Sequence, residues 1–383
     1  MTVMTSPLQT IDTPAALIDL PRASHNIARM QRHMDALGVA FRPHVKTTKC
    51  EQVAQAQAQA GARGITVSTM KEAEQFFSKG FRDILYAVGI AAHRLPQVLA
   101  LRRRGCDLTI ITDSLAGAEA IASFGRQHGE RFPVLIEVDT DGHRSGLHPE
   151  GEALVQVAAA LQDGGMEVRG VLTHAGSSYE LNTPQALRDL AEQERAGCVR
   201  AAQRLREAGI SCPVVSVGST PTALSATDLR GVTEVRAGVY VFFDLVMANV
   251  GVCTLDDIAL SVLTTVIGHQ QEKGWVIVDA GWMAMSRDTG TSKQQRDFKY
   301  GQVCTLDGAP LTGYVLSGAN QEHGIVSCLD GAADATDIAA RFPVGSRWRV
   351  LPNHACATGA QFEKYHAVAA DGAVQEWPRF HGW

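Results

Sequence analysis

The sequence predicts an α/β barrel followed by an antiparallel β domain. Short apolar runs alternate with amphipathic segments in roughly eight repeats between residues 21 and 248. Regular β-α alternation indicates a parallel sheet, and about eight units closing on one another make a TIM-type barrel. After about residue 250, strand-like runs joined by short turns replace the alternation, which is typical of an antiparallel β domain.

The composition sets limits on the class of protein. A chain of 383 residues is too long for one ordinary core, so two domains are expected. A hydrophobic content of 45 % and a charged content of 20 % are typical of a soluble globular protein. The net charge of −5 and the lack of a basic block argue against a nucleic-acid partner.

Membrane attachment and secretion are also not expected from the sequence. No apolar run is long enough to span a bilayer. Residues 1–13 lack the charged and apolar regions of a signal peptide. The 8 cysteines are scattered without a paired framework, which favours reduced thiols and a cytoplasmic location.

The elements of the barrel follow from apolar periodicity and capping residues. Strands are expected near residues 15–20, 39–46, 65–67, 83–88, 107–112, 132–138, 170–173, 214–217 and 233–236. Helices are expected near residues 22–37, 48–60, 69–76, 150–162 and 184–208. Two more are expected, one after the 83–88 strand that carries the basic run 102–104 and one after residue 113. Strands of the β domain are expected at 259–268, 274–279, 301–305, 312–316, 347–351 and 366–369.

A lysine ends the second of these strands. The run from Phe41 to Lys46 reads as a short strand, and Thr47 or Thr48 then offers an N-cap for a helix. Chemistry in barrels of this type lies at the carboxyl ends of the strands. Lys46 is therefore a candidate Schiff-base nucleophile if its surroundings lower its pKa, and the alternative is a solvated lysine at a strand end.

Polar loops follow several other strands of the predicted barrel. They are Asp141–Arg144, His174–Tyr179, Gly218–Thr222 and the turn Ala237–Tyr240. In a barrel these ends meet at one face. The Gly218–Thr222 loop offers N–H groups and hydroxyls that suit a phosphate, although such a sequence is also common in a simple turn. A phosphate loop and a lysine at one barrel mouth are the parts needed to hold pyridoxal 5'-phosphate (PLP).

A second candidate site lies in the predicted β domain. On a strand His354 and Cys356 would face the same side and could bind one zinc-like metal ion. The alternative is a buried histidine and a buried cysteine. Water, substrate or a third residue would have to complete the metal shell, and the segment 321–323 and Asp279 are candidates for that shell or its second layer.

Several motifs together resemble one family. They are Thr13-Pro-Ala-Ala-Leu-Ile-Asp19, Pro43-His-Val-Lys-Thr47, Asp141-Gly-His-Arg-Ser-Gly146, Gly218-Ser-Thr-Pro221 and Pro352-Asn-His-Ala-Cys356. The resemblance is to the D-serine dehydratase / D-threonine aldolase family, PLP enzymes of fold type III that are related to alanine racemase by fold. It covers essentially the whole chain. It implies an alanine-racemase-like barrel over residues 21–248 and a β domain formed by residues 1–20 and 249–383.

The resemblance also implies the site residues. Lys46 would be the catalytic Schiff-base lysine, and His354 and Cys356 would be metal ligands. Residues expected to bind PLP are Lys46, Arg144, His174, Tyr179, Gly218, Ser219, Thr220, Gly238, Val239 and Tyr240. Alanine racemases carry a proline where this chain has Ala237, which leaves the partner of the cofactor ring nitrogen open. The metal would be a divalent ion: zinc, manganese, cobalt, nickel or magnesium.

Three functions are consistent with these residues. The first is a dehydratase for D-3-hydroxyamino acids, expected to convert D-threo-3-hydroxyaspartate to oxaloacetate and ammonia, with a D-serine dehydratase as a variant. The second is a D-threonine-type aldolase that yields glycine and an aldehyde. The third is a non-catalytic PLP carrier, against which the β domain with His354 and Cys356 argues. By analogy of fold, a homodimer is expected.

Overall fold

The computed structural model describes residues 7–329 and 338–383. The chain divides into two compact units. One contains residues 28–238 and 380–383, and the other contains the described residues up to 27 and from 239 to 379.

The first unit is an eight-stranded parallel barrel. Its strands are β2 Ala40–Pro43, β3 Ile65–Val67, β4 Asp83–Gly89, β5 Asp107–Thr112, β6 Pro133–Val138, β7 Glu167–Thr173, β8 Val214–Val217 and β9 Glu234–Ala237. The helices are α1 Leu20–Ala36, which begins in the other unit, α2 Glu51–Gln59, α3 Met70–Ser78, α4 Leu95–Arg103, α5 Leu115–His128, α6 Glu152–Asp163, α7 Pro184–Glu207 and α8 Thr220–Ser225.

Sequential strands are neighbours in the barrel sheet, in the order β2-β9-β8-β7-β6-β5-β4-β3. A bridge between His44 and Thr66 joins the two ends of this order, and Val45 donates its N–H to the Thr66 carbonyl at 2.9 Å. Leu85, Ile111, Leu135 and Leu172 pack together as one apolar cluster in this unit. The predicted α/β barrel is therefore confirmed, and its strand ends gather the polar loops at one face.

The second unit is built on a nine-stranded sheet. Its strands are β1 Ala15–Asp19, β10 Leu260–Gln270, β11 Trp275–Val278, β12 Gly301–Cys304, β13 Pro310–Ala319, β14 Gly324–Cys328, β15 Arg347–Pro352, β16 Lys364–Val368 and β17 Val374–Pro378. Short helices are α9 Leu245–Val250, α10 Trp282–Met285, α11 Ile338–Arg341 and α12 Ala355–Gly359.

The β sheet is antiparallel except at one pairing. β1 lies between β10, to which it is antiparallel, and β16, to which it is parallel. Buried residues of β10, β11, β12 and β15 form the main apolar core of this unit, with Tyr314 and Phe342 packed among them. The predicted C-terminal antiparallel β domain is therefore confirmed.

Local structure differs from the expectation at the two motifs that carry the candidate chemistry. β2 ends at Pro43 and residues 45–48 form a turn, so Lys46 follows the strand rather than ending it. The helix after it begins at Glu51 with Cys50 as N-cap, not at Thr47 or Thr48. The hydrogen bonds to β9 nevertheless continue for one more residue, because the His44 N–H donates to the Ala237 carbonyl at 2.8 Å.

The searched part of the chain, residues 7–329 and 338–383, holds no helix with the length and apolar character needed to cross a membrane. All 8 cysteines lie within these ranges, and each is a thiol rather than half of a disulfide.

Candidate active site

The turn after β2 presents Lys46 to solvent. Lys46 is exposed, whereas its neighbours Val45 and Thr47 are buried and anchor the turn. The next lysine, Lys49, has a different environment, because its Nζ atom lies 3.1 Å from the buried carboxylate of Glu72. Of these two lysines, Lys46 is the one that is exposed.

Two histidines beside Lys46 are held in the neutral form. Burial, reinforced by the positive charges of Lys46 and Arg236, keeps the pKa of His44 well below its usual range. Burial also lowers the pKa of His174 to about 4, although the contact of its Nδ1 atom with the Gly218 carbonyl at 2.9 Å opposes the shift. At neutral pH both imidazoles can therefore donate or accept a hydrogen bond without adding charge.

The loops after β6 and β7 are joined to each other. Asp141 accepts hydrogen bonds from the N–H and the hydroxyl of Ser177, at 2.9 and 2.8 Å. A Cβ at Gly176 would lie 2.1 Å from the ring of the exposed His143, so a larger residue here would force that ring to move. Arg144, on the first loop, is exposed, and its guanidinium lies 3.7 Å from Glu137.

A buried carboxylate anchors the loop after β8 through hydrogen bonds. Glu194, on α7, is 2 % exposed, and its Oε1 accepts the N–H groups of Ala175 and Gly218. Ser219 and Thr222 form a capping box, and the Ser219 hydroxyl also lies 2.9 Å from that of Ser178. The Ser219 N–H and hydroxyl are thus already hydrogen-bonded within the protein, a feature that the sequence did not predict.

Gly218 is required for the close approach of β8 and β9. Its φ is +137°, and a Cβ at this position would lie 2.0 Å from the carbonyl oxygen of Arg236. The Arg236 guanidinium is buried and donates to Ser216 Oγ at 2.6 Å and to the Thr173 carbonyl at 2.5 Å. Ser216 in turn donates to Glu234 at 2.7 Å. Arg236 is therefore fixed between β7, β8 and β9.

The side chains at this end of the barrel fit an anionic cofactor. Lys46 and Arg144 are exposed cations, and the charges of Lys46, Arg144 and Arg236 all act on the His174 imidazole. A phosphate or carboxylate among these groups would be electrostatically favoured. The donor set is therefore of the kind that PLP requires.

The other residues expected to contact PLP are placed as follows. The Tyr179 ring lies 6.3 Å from the His174 ring. A Cβ at Gly238 would lie 2.9 Å from the His44 carbonyl, so this turn passes close to the chain preceding Lys46. Val239 and Tyr240 belong to the β unit, where both are buried in a short 3-10 turn.

The candidate metal ligands lie in the β unit, at a junction of strand and helix. β15 ends at Pro352, His354 is the N-cap residue of α12, and Cys356 lies in the first turn of that helix. The expectation that one strand presents both residues is therefore wrong. Contact between the two side chains nevertheless exists, because Cys356 is hydrogen-bonded to the His354 imidazole. The N-cap side chain and the side chain in the first turn of the helix therefore still lie next to each other, at a helix N-terminus instead of on a strand.

Two carboxylates lie beside His354. Asp288 Oδ2 is 2.6 Å from His354 Nδ1. Asp244 is buried and accepts the Ala355 N–H at 2.9 Å. Burial would lower the pKa of His354, but the hydrogen bonds to Asp288 and Cys356 outweigh it and raise the pKa to about 11.

The sequence did not single out Asp288. The sequence suggested other residues for the metal shell or its second layer. Of these, Asp279 accepts hydrogen bonds from Thr13, Thr264 and the Thr265 N–H within the β unit. Residues 321–323 are exposed. Asp288 lies in a loop 66 positions from His354, and no spacing in the sequence links the two.

The pair of His354 and Cys356 fits a borderline divalent metal. Imidazole nitrogen and thiolate sulfur are the donors that zinc and its neighbours accept. In residues 7–329 and 338–383, no three His, Cys, Asp or Glu side chains are grouped to hold an ion. The His354 side chain is 41 % exposed, so solvent or substrate can reach its free edge. Such a two-residue site leaves coordination positions for substrate.

Comparison with known proteins gives matches along the whole chain. Residues 18–246 match the family model "Alanine racemase, N-terminal domain", and residues 259–368 match the model "Putative serine dehydratase domain". The D-threo-3-hydroxyaspartate dehydratase of Delftia sp. (strain HT23) is 68 % identical over 381 residues, which cover 99 % of this chain and 100 % of that protein. The D-serine dehydratase of Dictyostelium discoideum is 28 % identical, covering 96 % of each chain.

One solved structure is also similar to this chain over nearly its whole length. It is a cysteine-to-alanine variant of D-threo-3-hydroxyaspartate dehydratase in the metal-free form, with a TM-score of 0.98 and 68 % identity, covering 99 % of this chain and 100 % of that one. From these matches, the chain belongs to the enzyme family in which an alanine racemase N-terminal domain is joined to a serine dehydratase domain, together with D-threo-3-hydroxyaspartate dehydratase.

Proposed function

We propose that this protein is a PLP- and divalent-metal-dependent dehydratase that converts D-threo-3-hydroxyaspartate to oxaloacetate and ammonia. The observation that carries the proposal is the 68 % identity, over 381 residues, to an enzyme of that name. The chemistry of the side chains supports it independently. A cationic barrel mouth with an exposed lysine suits PLP, and an imidazole–thiolate pair suits a metal.

In this proposal Lys46 is the catalytic residue of the barrel unit. PLP, when bound, draws electrons from the α-carbon of an amino acid and makes its proton removable. Lys46 would hold the cofactor and, once displaced by substrate, take the α-proton. Burial and nearby cations keep the His44 and His174 imidazoles neutral beside Lys46, so neither adds a positive charge there.

The remaining cofactor contacts are proposed from the family motifs and the chemistry of each position. Arg144 would supply charge to an anionic group of the cofactor or substrate. The loop Gly218, Ser219 and Thr220 and the turn Gly238, Val239 and Tyr240 would surround the phosphate. Because the Gly218 and Ser219 N–H groups already donate to Glu194 and Thr222, the Thr220 hydroxyl and the N–H groups of the turn would be the donors. His174 and Tyr179 would border the cofactor ring. Arg236, already committed to Ser216 and the Thr173 carbonyl, would keep this end of the barrel positively charged.

The metal has one role in the proposal. Hydroxide is a poor leaving group at neutral pH, and His354 and Cys356 would hold a divalent ion that would supply a Lewis acid for the β-hydroxyl. Loss of the α-proton and the β-hydroxyl amounts to loss of water. Addition of water to the released product then gives the 2-oxo acid and ammonia, so the atoms balance.

Two alternatives use the same parts. A D-threonine-type aldolase would break the Cα–Cβ bond and release glycine and an aldehyde, and a D-serine dehydratase would release pyruvate and ammonia. The enzyme should therefore be assayed under identical conditions with D-threo-3-hydroxyaspartate, D-serine and D-threonine. Oxaloacetate and ammonia as the main products of the first substrate support the proposal, whereas glycine and glyoxylate would establish the aldolase.

We further propose a cytoplasmic homodimer with a barrel domain over residues 21–248 and a β domain over 1–20 and 249–383. Residues 1–6 and 330–337 of the β domain lie outside the described residues. All 8 cysteines are thiols and none belongs to a disulfide, which fits a reducing compartment. Val88, near the end of β4, and Leu115, the first residue of α5, are each 44 % exposed, and a partner subunit would cover them. Light scattering that gives a monomer mass would refute the dimer.

A further inference from the structure

The segment that carries Asp288 is fastened to the segment that carries the candidate metal ligands. The Asn353 side-chain amide donates to the Asp288 carbonyl at 3.1 Å, and the Thr358 hydroxyl donates to the Met285 carbonyl at 2.7 Å. Residues that flank His354 and Cys356 are therefore hydrogen-bonded to the backbone on both sides of Ser286 and Arg287. The two segments are fixed to each other before any ion binds.

Both oxygens of the Asp288 carboxylate have partners. Oδ2 lies 2.6 Å from His354 Nδ1, and Oδ1 accepts the Gly290 N–H at 2.9 Å. A carboxylate held at both oxygens cannot rotate freely. The plane and direction of the His354 imidazole are therefore set by a fixed acceptor.

The backbone before Asp288 has an unfavourable conformation. Ser286 has φ +72° and ψ 168°, a region that is occupied almost only by glycine. Its hydroxyl accepts the Asp288 N–H at 3.2 Å. Strain of this kind persists only where the surrounding contacts enforce it, and here the contacts of Asn353 and Thr358 do so.

We propose that Asp288 is a positioning residue that fixes His354 in the tautomer and orientation needed to bind a metal ion. With Nδ1–H directed to Asp288, an ion that binds beside the Cys356 thiolate would displace the proton from Nε2 and take its lone pair. A carboxylate that accepts from the second ring nitrogen also increases the basicity of the ligand. Asp244 does not serve in this way, because its oxygens accept the N–H groups of Met247 and Ala355.

This inference rests on the proposed metal site and deepens it. The test is the binding of Co²⁺ to purified, PLP-loaded, metal-depleted protein, followed by the visible absorption of the cobalt–thiolate centre and by competition with a chelator. Asp288→Ala should weaken Co²⁺ affinity by about 10- to 100-fold. It should also alter the visible spectrum, because the imidazole is no longer held in one orientation. Asp288→Asn keeps the shape and one oxygen acceptor and should recover part of the affinity.

Two control variants separate positioning from general loss of structure. Thr358→Val removes the bond to Met285 but leaves the contact between Asp288 and the imidazole, so it should lower the unfolding midpoint and weaken Co²⁺ binding much less than Asp288→Ala does. Asp297→Ala removes another carboxylate of the same region, one that pairs with Lys299 at 2.6 Å, and should change neither the affinity nor the spectrum.

The outcomes are distinguishable. Wild-type affinity and spectrum in Asp288→Ala would overturn the inference and leave the metal-dependent function in place. Equal loss of affinity in Thr358→Val and Asp288→Ala would also overturn it, because the segment as a whole would then be responsible. If the wild-type protein binds no Co²⁺, the inference and the metal role in the proposed function both fail.

Discussion

Gly218 donates its N–H to the Oε1 atom of Glu194 at 2.9 Å, and the same oxygen accepts the Ala175 N–H at 3.0 Å. One buried carboxylate thus joins the loops after β7 and β8, where the candidate cofactor contacts lie. Burial raises the pKa of Glu194, and the hydrogen bonds from the two loops oppose that shift.

Replacing Glu194 should loosen both loops. Glu194→Ala would leave two buried N–H groups without an acceptor, at about 1–3 kcal/mol each, so we expect the free energy of unfolding to fall by about 2–6 kcal/mol. Cofactor retention should weaken in parallel. Urea unfolding and PLP titration measure the two effects.

The matched control is Glu194→Gln, whose side-chain carbonyl still accepts from both N–H groups and should keep most of the stability. A Glu194→Ala protein that unfolds at the wild-type urea midpoint would show that the carboxylate does not support the loops.

Lys46 should be the lysine that carries PLP. Borohydride treatment of the wild-type protein should bleach its visible absorbance and leave a pyridoxyl group on the peptide that contains Lys46. Lys46→Ala should show no covalent label in the same mass-spectrometric experiment. Lys49→Arg is the control, because arginine keeps a cation beside Glu72, and it should be labelled normally. A pyridoxyl group on another lysine in Lys46→Ala would refute the assignment.

Acid should destabilise the barrel unit through His44 and His174. Both have lowered pKa values in the folded protein, about 4 for His174, against an unfolded value near 6.5. Between these values the unfolded chain binds more protons, so stability is complete above about pH 6.5 and is lost as the pH falls towards 4. We expect His174 to contribute on the order of 1–3 kcal/mol to this loss.

The measurement is the free energy of unfolding of the PLP-free protein between pH 7 and pH 4. His174→Asn should show a shallower dependence on pH than the wild-type protein. His93→Asn, a change at an exposed histidine, should follow the wild-type curve. A slope in His174→Asn equal to that of the wild-type protein would contradict the account.

The sequence predicted the architecture because it depends on repeated local patterns. Strands β3, β5 and β8 were predicted at their observed bounds, since each is a compact apolar run between turn residues. β14 and β17 were missed. β17 is largely exposed and carries Gln375 and Glu376, so its sequence lacks the apolar alternation of a buried strand.

The candidate site was predicted less completely, because its geometry depends on contacts between distant segments. His354 and Cys356 were named from their spacing, but no local pattern indicated that the strand ends at Pro352 and that a helix follows. Asp288 and Glu194 were not named at all. A single aspartate in a loop or glutamate in a helix has no local signal, and only the fold brings it to its partner.

Removal of the metal tests the central claim, metal-assisted elimination, most directly. D-threo-3-hydroxyaspartate should be supplied to the enzyme after exhaustive chelation, with elemental analysis to confirm that the metal is gone and visible absorbance to confirm that PLP remains. Formation of oxaloacetate should stop, and Zn²⁺, Mn²⁺, Co²⁺ or Ni²⁺ should restore it to differing degrees. The Cys356→Ala variant should behave like the chelated enzyme. Full turnover by metal-free protein would contradict the account and leave His354 and Cys356 without a role in the reaction.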